Sequence, residues 1–281
     1  MKIVRTVADL RGIRAEARNL GVRTGLVPTM GAFHDGHLSL MRRARDDNGL
    51  VVVSLFVNPA QFNEQKDLER YPRDEKRDAE MAESAGVDVL FAPGVDEVYP
   101  AGFATVVEVP DLAAPLEGVV RGLQHFCGVA TVVAKLLNMA QADVAYFGQK
   151  DAQQALIIRR LTRDLNIPTE IVVAPTVREP DGLAMSSRNV LLDPHSRKRA
   201  TALSAALFVV RDAVATGERD VSAALGRGAA ILTRDNVEPE YFAAVSADTL
   251  APVDRFAGRT LVAIAARFGS VRLIDNVIID A

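Results

Sequence analysis

Pro28-Thr29-Met30-Gly31-Ala32-Phe33-His34-Asp35-Gly36-His37 decides the fold, because of what stands on either side of it. Before it, Thr24-Gly25-Leu26-Val27 is a short apolar run that reads as a strand. After it, Leu38, Met41 and Ala44 recur at helical spacing as far as Asn48, and Gly49 stands where a helix would stop. Leu50 to Val57 is β-branched and almost wholly apolar, the pattern of a strand covered on both faces. The ten residues are therefore the first turn of a β-α-β unit, with two glycines and two histidines at the helix entrance. Backbone N–H groups left unpaired at such an entrance attract anions, and the helix dipole adds to that pull. Two imidazoles placed there suit phosphate binding better than packing.

Upstream, residues 6–20 read as a first helix, with Thr6 as N-cap, Leu10, Ile13, Ala17 and Leu20 on one face, and Gly21 past the end. Downstream, Asn58-Pro59 breaks the second strand, and the charged stretch Asn63 to Arg70 reads as a mobile loop beside the turn. Pro72 to Ala85 is helical in pattern and closed by Gly86. Val87 to Phe91 and Thr105 to Val109 read as strands, and Gly128 to Met139 as an apolar helix. Val144 to Phe147 is a strand, Asp151 to Asn166 a helix, and Glu170 to Ala174 a further strand. The alternation predicts an α/β fold, a Rossmann-like doubly wound parallel sheet, with ligands at the carboxyl ends of its strands near a topological switch point. Three polar clusters fall at such ends: the His34/His37 turn, Asn58 to Gln61, and Gly148 to Gln154.

Past about residue 176 the pattern changes. Val177 to Asn189 is an aperiodic connection into a long helix, 195–216, with Leu203, Leu207, Val210 and Val214 on one face and Gly217 at its end. A shorter helix, 221–235, follows, and the runs 241–245, 261–265 and 271–274 close the chain as strands of antiparallel character. The sequence thus divides into a first domain over 1–177 and a second, smaller α+β domain over 178–281.

At 281 residues the chain is long enough for a substantial core, and 49% hydrophobic with 25% charged residues is the balance of a soluble globular protein. A formal net charge of −3 argues against nucleic-acid partners. No tryptophan and 5% aromatics leave little for stacking on single strands. One cysteine, Cys127, excludes an internal disulfide and fits a reducing compartment. With no apolar leader pattern after Met1 and no run of about 18 apolar residues, the expectation is a cytoplasmic protein without a membrane span.

His34 and His37 are three apart in one turn; a zinc site would need a third ligand, and Gly36 between them departs from the helical His-Glu-x-x-His pattern, so no metal is assigned to them. A plain capping role is the alternative to phosphate binding. Gly148-Gln149-Lys150-Asp151-Ala152-Gln153-Gln154 has two readings. Asp151 as N-cap with Gln154 three residues on makes a variant capping box, or Lys150 is a mobile charge for phosphate oxygens and Asp151 accepts from a ribose hydroxyl. Met185-Ser186-Ser187-Arg188 has two readings: an ordinary loop, or hydroxyls and a guanidinium of the kind that closing over a triphosphate needs. Gln61 is either turn chemistry or an amide that fixes a polar substrate by donating and accepting at once. Cys127 reads as a packing residue.

Taken with Val57-Asn58-Pro59-Ala60-Gln61-Phe62, Tyr71-Pro72-Arg73 and Asp181 to Asn189, these segments resemble the pantothenate synthetase (pantoate–β-alanine ligase) family of the nucleotidylyltransferase superfamily. The His-x-Gly-His turn alone identifies the superfamily. The Asn-Pro-x-Gln-Phe, Lys-Asp-x-Gln-Gln and Ser-Ser-Arg-Asn segments, in that order, are those of the family. The resemblance implies a ligase that joins pantoate to β-alanine through pantoyl adenylate, releasing pyrophosphate and AMP. It implies that Met30, Gly31, Ala32, Phe33, His34, Asp35, Gly36 and His37 bind ATP, with His37 and His34 serving the phosphates. It likewise implies that Gly148, Gln149, Lys150 and Asp151 hold ribose and phosphate, that Val177 meets adenine, and that Met185, Ser186, Ser187 and Arg188 close on the triphosphate. By the same resemblance His37, His34, Lys150 and Arg188 would be the catalytic set, Gln61 and Gln154 would take pantoate with Gln61 also near β-alanine, and Mg²⁺ would accompany ATP. A homodimer is implied, with 1–177 binding nucleotide and pantoate, and with 178–281 and the 63–70 loop as lids.

Two departures stand out. The family usually shows Arg-Pro-Gly-His-Phe where this chain has Arg121-Gly122-Leu123-Gln124-His125-Phe126, and Gln149 replaces a frequent Glu. Two rival functions are a nucleotidylyltransferase passing AMP to a phosphorylated acceptor, which needs further cations, and an ATP-sensing regulator without turnover, which need not keep His34, His37, Lys150 and Arg188 together.

Overall fold

The first helix forms where its local signals place it, after a short strand that the sequence reading did not include. The computed structural model describes residues 1–281. A short strand, β1 (Lys2–Val4), leads to α1 (Val7–Asn19), where Thr6 Oγ1 accepts from the Asp9 N–H at 3.1 Å as an N-cap. β2 (Thr24–Thr29), α2 (Asp35–Asp47) and β3 (Leu50–Leu55) form the β-α-β unit. Val27, Val51 and Val53 are fully buried, which is why an unbroken apolar run serves better here than an alternating one. Next come α3 (Gln65–Arg70), α4 (Glu75–Ser84), β4 (Val89–Phe91) and three short helices, α5 (Val95–Val98), α6 (Pro110–Ala113) and α7 (Glu117–Arg121). The long apolar α8 (Leu123–Ala140), β5 (Val144–Gly148), α9 (Ala152–Asp164) and β6 (Glu170–Ala174) complete this part.

The six strands make one parallel sheet in the order β1-β4-β3-β2-β5-β6. From β2 the chain builds outward through β3, and later returns to place β5 on the other flank of β2. That reversal is the topological switch point, and the His-x-Gly-His turn leaves the sheet there. The C-terminal part contains α10 (Pro194–Ala215), α11 (Val221–Arg234) and an antiparallel sheet of β7 (Pro239–Ser246), β8 (Arg259–Phe268) and β9 (Val271–Asp280). Leu203, Leu207, Val210 and Val214 form the buried stripe of α10, packed with β8 residues such as Val262 and Ile264 in one core.

The chain divides into two compact units, Met1–Gly148 with Gln153–Ala174, and Gln149–Ala152 with Pro175–Ala281. Local pattern does not announce the excursion of 149–152 into the second unit. No helix is long and apolar enough to cross a membrane.

Five local readings need correction. Thr105–Val109 is not a strand: Val106 is 60% exposed, and the Val107 N–H goes to Thr131 Oγ1 at 2.9 Å rather than to a ladder. The helix expected from Pro72 starts at Glu75, because Asp74 accepts from the Arg77 N–H and caps it. Part of the 63–70 loop is helical, as α3. The helix expected from Gly128 begins at Leu123, so His125 is in its first turn. Finally, Gln149–Asp151 is a 3-10 turn running directly into α9, so Asp151 lies inside that turn and not at an N-cap.

Candidate active site

The turn between β2 and α2 folds around a buried carboxylate. Gly31 and Ala32 both have left-handed backbones, at φ 87° and 53°. Asp78 of α4, 1% exposed, accepts from the Ala32 and Phe33 N–H groups at 2.8 Å each. A Cβ on Gly31 would stand 2.7 Å from Leu55 Cδ1 and 2.8 Å from Asp78 Oδ2, so only glycine fits under that clamp. Thr29 Oγ1 donates to the Ser54 carbonyl at 2.6 Å and accepts from the Gly31 N–H at 3.4 Å.

The two histidines close the helix entrance on itself. His34 is the N-cap, and its Nδ1 accepts from the Gly36 N–H at 3.1 Å. His37 Nδ1 accepts in turn from the His34 N–H at 3.4 Å, a capping box built from imidazoles. The N–H groups of Ala32, Phe33, His34 and Gly36 are thus engaged inside the protein, not splayed as a backbone anion nest. What the turn offers a ligand is set by the rings. A neutral imidazole that accepts at Nδ1 holds its proton on Nε2, so both rings carry their N–H donor on the edge away from the helix backbone. Their centroids are 4.2 Å apart and tilted by 46°, and Phe33 lies 5.5 Å from His37. Capping does not use up the rings: the cap fixes the tautomer that leaves each imidazole a donor at Nε2.

A second cluster forms at the end of β3. Asn58, 1% exposed, accepts at Oδ1 from the Tyr99 hydroxyl (2.8 Å) and the Ala60 N–H (3.3 Å). Its Nδ2 donates to Gln61 Oε1 at 3.0 Å and to the Gly128 carbonyl at 3.1 Å. Burial pushes the Tyr99 phenol up to about 12, so it remains a donor throughout the neutral range. With Oε1 taken, Gln61 points its NH₂ group the other way, and Nε2 lies 3.0 Å from Met30 Sδ. Met30 and Gln61, from different predicted site segments, are in contact.

His125 Nδ1 is 2.8 Å from the Gln61 carbonyl oxygen, so the departing 121–126 stretch still brings an imidazole to this cluster. Arg121 turns instead to Glu117 at 2.7 Å. Gly128 permits the approach of α8: a Cβ there would fall 2.3 Å from the Ala60 carbonyl oxygen. Burial raises the Cys127 thiol above its usual range, in keeping with a packing residue.

On α9 the two glutamines part company. Gln153 is buried, donates to the Leu112 and Pro115 carbonyls at 2.8 and 2.7 Å, and accepts from the Glu117 N–H at 3.0 Å. Gln154, the residue assigned to pantoate, is half-buried one position further round the helix.

The C-terminal unit carries the remaining predicted residues. Gln149 and Lys150 direct their carbonyls to Asn276 Nδ2, at 3.0 and 2.9 Å. The Met185 N–H donates to the Val177 carbonyl at 3.0 Å, which brings those two predicted residues together across a hairpin. Ser186, Ser187 and Arg188 form the following turn, in which Ser186 Oγ accepts from the Arg188 N–H at 3.2 Å. Arg197 bridges Asp181 and Glu179, and this pairing holds the Asp181 carboxyl below the usual carboxylate range. Sequence reasoning did not single out Asp78, Tyr99 or Asn276, and it placed Asn58 in a rim cluster without its role; the missing signals are partners far away along the chain.

A parallel sheet in this order, with a His-x-Gly-His turn leaving its switch point, defines a Rossmann-like nucleotide-handling α/β protein. Comparison with known proteins narrows the class. The chain belongs to the pantoate-beta-alanine ligase family, whose model matches residues 2–278. It is 51% identical over 283 residues to the pantothenate synthetase of Moorella thermoacetica, covering 100% of this chain and 99% of that one. It is 50% identical over 282 residues to that of Roseiflexus castenholzii, covering both chains fully. The crystal structure of pantothenate synthetase from Thermus thermophilus superimposes with a TM-score of 0.91 at 48% identity, over 99% of each chain. The Francisella tularensis pantoate-beta-alanine ligase, solved with beta-gamma ATP and beta-alanine, gives 0.78 at 33% identity over 99% of this chain and 97% of that one.

Proposed function

We propose that this chain condenses pantoate with β-alanine at the cost of one ATP. A pantoate carboxylate oxygen attacks the α-phosphorus, and pyrophosphate leaves. The β-alanine amine then attacks the acyl carbon of pantoyl adenylate, loses a proton, and AMP leaves with the bridging oxygen. The observation that carries this reading is family membership along essentially the whole chain, residues 2–278. No protein nucleophile is needed, which accords with a Cys127 that is buried and far from activation.

The residue roles are those the family resemblance implies, and they remain our assignment. His34 and His37 present Nε2–H donors to phosphate oxygens, where negative charge builds as the α-phosphorus is attacked. Lys150 and Arg188 add cationic charge, Ser186 and Ser187 add hydroxyl donors, Asp151 takes a ribose hydroxyl, and Val177 with Met185 flanks adenine. Gln61 and Gln154 grip pantoate. The Gln61 NH₂ group rests on a thioether, a weak acceptor that a carboxylate or hydroxyl oxygen displaces readily. No group of three or more His, Cys, Asp or Glu side chains converges to hold a metal, so Mg²⁺ fits as an ion carried on the triphosphate. It would offset charge between the two anionic substrates. The reactive adenylate calls for a site closed to water, and we assign closure to the C-terminal unit and residues 63–70. A cytoplasmic homodimer completes the proposal.

The test is pyrophosphate release that requires pantoate, followed by AMP release that requires β-alanine. Pyrophosphate release that ignores pantoate, or that needs a phosphorylated acceptor instead, would reject it. The Tyr99–Asn58–Gln61 chain gives a narrower expectation. Tyr99→Phe deletes only the hydroxyl that orients Asn58, so KM for pantoate should rise about five- to tenfold while KM for ATP holds. Equal changes in both constants, or none, would show that Asn58 needs no such support.

A further inference from the structure

We propose that Asp275 and Asn276, adjacent residues of β9, are positioning residues that set the spacing between the two nucleotide-holding segments of the C-terminal unit. This inference rests on the assignment above of 149–151 to ribose and phosphate and of 177–188 to adenine and triphosphate. The chain leaves this unit after Ala152 and re-enters it at Pro175, so covalent continuity does not fix one segment against the other. Within the unit, β9 does. Asn276, 3% exposed, spends both hydrogens of its amide on the Gln149 and Lys150 carbonyls and accepts from Gln149 Nε2 at 3.3 Å.

Asp275, 2% exposed, takes the other segment. Its two oxygens receive the Arg178 Nη1 and Nη2 groups at 2.6 and 2.9 Å, and the same guanidinium donates to the Gly182 carbonyl at 3.0 Å. Arg178 also stacks over Phe208, 4.9 Å from the ring centroid, and its bridge to Ala184 is what places Val177 and Met185 side by side. The Asn276 N–H donates to Asp275 Oδ1 at 2.7 Å and links the two grips. Successive side chains of a strand face opposite ways, so one dipeptide reaches both segments at a separation fixed by the backbone. Purely structural need does not explain the arrangement well: a buried ion pair of this kind is a weak source of stability, and apolar residues would fill the space at less desolvation cost. Fixed geometry between two binding segments is what such a network supplies.

The experiment measures all three KM values for Asn276→Ala and for Arg178→Lys, with thermal unfolding alongside. Arg178→Lys keeps the charge beside Asp275 but loses the paired geometry. KM for ATP should rise about tenfold in each variant, with KM for pantoate and β-alanine within about twofold of the parent. Adding back Asn276→Ser, which retains one donor, should recover part of the loss. A KM for ATP that stays within about twofold, or a parallel rise of all three constants that tracks falling melting temperature, would overturn the inference. Should Asn276→Ala fail to fold, Arg178→Lys and Asn276→Ser are read by the same criteria. Failure of the ligase assignment would look different: the parent protein itself would release no pantoate-dependent pyrophosphate.

Discussion

Asp78→Ala is expected to destabilise the protein by about 3 kcal/mol and to lower kcat/KM about a hundredfold. The carboxylate accepts from two backbone donors, the partly buried Ala32 N–H and the buried Phe33 N–H, at 2.8 Å each. Removing it strands both donors and withdraws what holds Ala32 in a left-handed backbone, a conformation that costs a non-glycine residue roughly 1–2 kcal/mol. The turn should then relax, and the imidazoles that follow it should lose their placement. Asp78→Asn keeps one acceptor and turns an NH₂ group toward the second N–H, so it belongs between the parent and the alanine variant in both measurements. Denaturant unfolding and steady-state kinetics decide the matter. Unchanged stability and activity in the alanine variant would mean that the turn holds its shape without the clamp.

The second large effect separates the two jobs of His37. Asparagine places an acceptor near the position of Nδ1, so His37→Asn can still receive the His34 N–H, but it has nothing where Nε2 was. Glutamine reaches the Nε2 position with a donor and gives up the cap. If the donor serves the phosphates, His37→Asn should keep its melting temperature yet lose about 10²- to 10³-fold in kcat. His37→Gln should be less stable and retain more activity. The opposite ranking would mean that the imidazole matters as a cap alone.

Sequence made legible those features that repeat over a few residues. Val51-Val52-Val53 is an unbroken apolar run buried on both faces of its strand, and the stripe Leu203, Leu207, Val210 and Val214 repeats at helical period and is buried at that period. The His-x-Gly-His turn was readable because a strand precedes it and a helix follows it. Thr105 to Val109 misled for the opposite reason. Its β-branched residues satisfy strand propensity, but a strand exists only where a ladder receives it, and Thr131 took the Val107 N–H. Asp78 was illegible among the charges of Arg73 to Glu80, since burial there depends on α4 meeting the 31–33 turn. Gln153 and Gln154 are indistinguishable by composition; one helical step of about 100° sends the first into the backbone of 112–117 and the second elsewhere. Tyr99 with Asn58, and Asn276 with Lys150, join residues far apart in the chain, a relation no local pattern encodes.

Label transfer tests the central claim most directly. Pantoate carrying ¹⁸O in its carboxylate is incubated with ATP and β-alanine, and the products are analysed by mass spectrometry. Attack on the α-phosphorus requires one labelled oxygen to appear in the AMP phosphate for each pantothenate formed, with unlabelled pyrophosphate. Label in pyrophosphate or inorganic phosphate, or AMP free of it, would contradict an acyl-adenylate route.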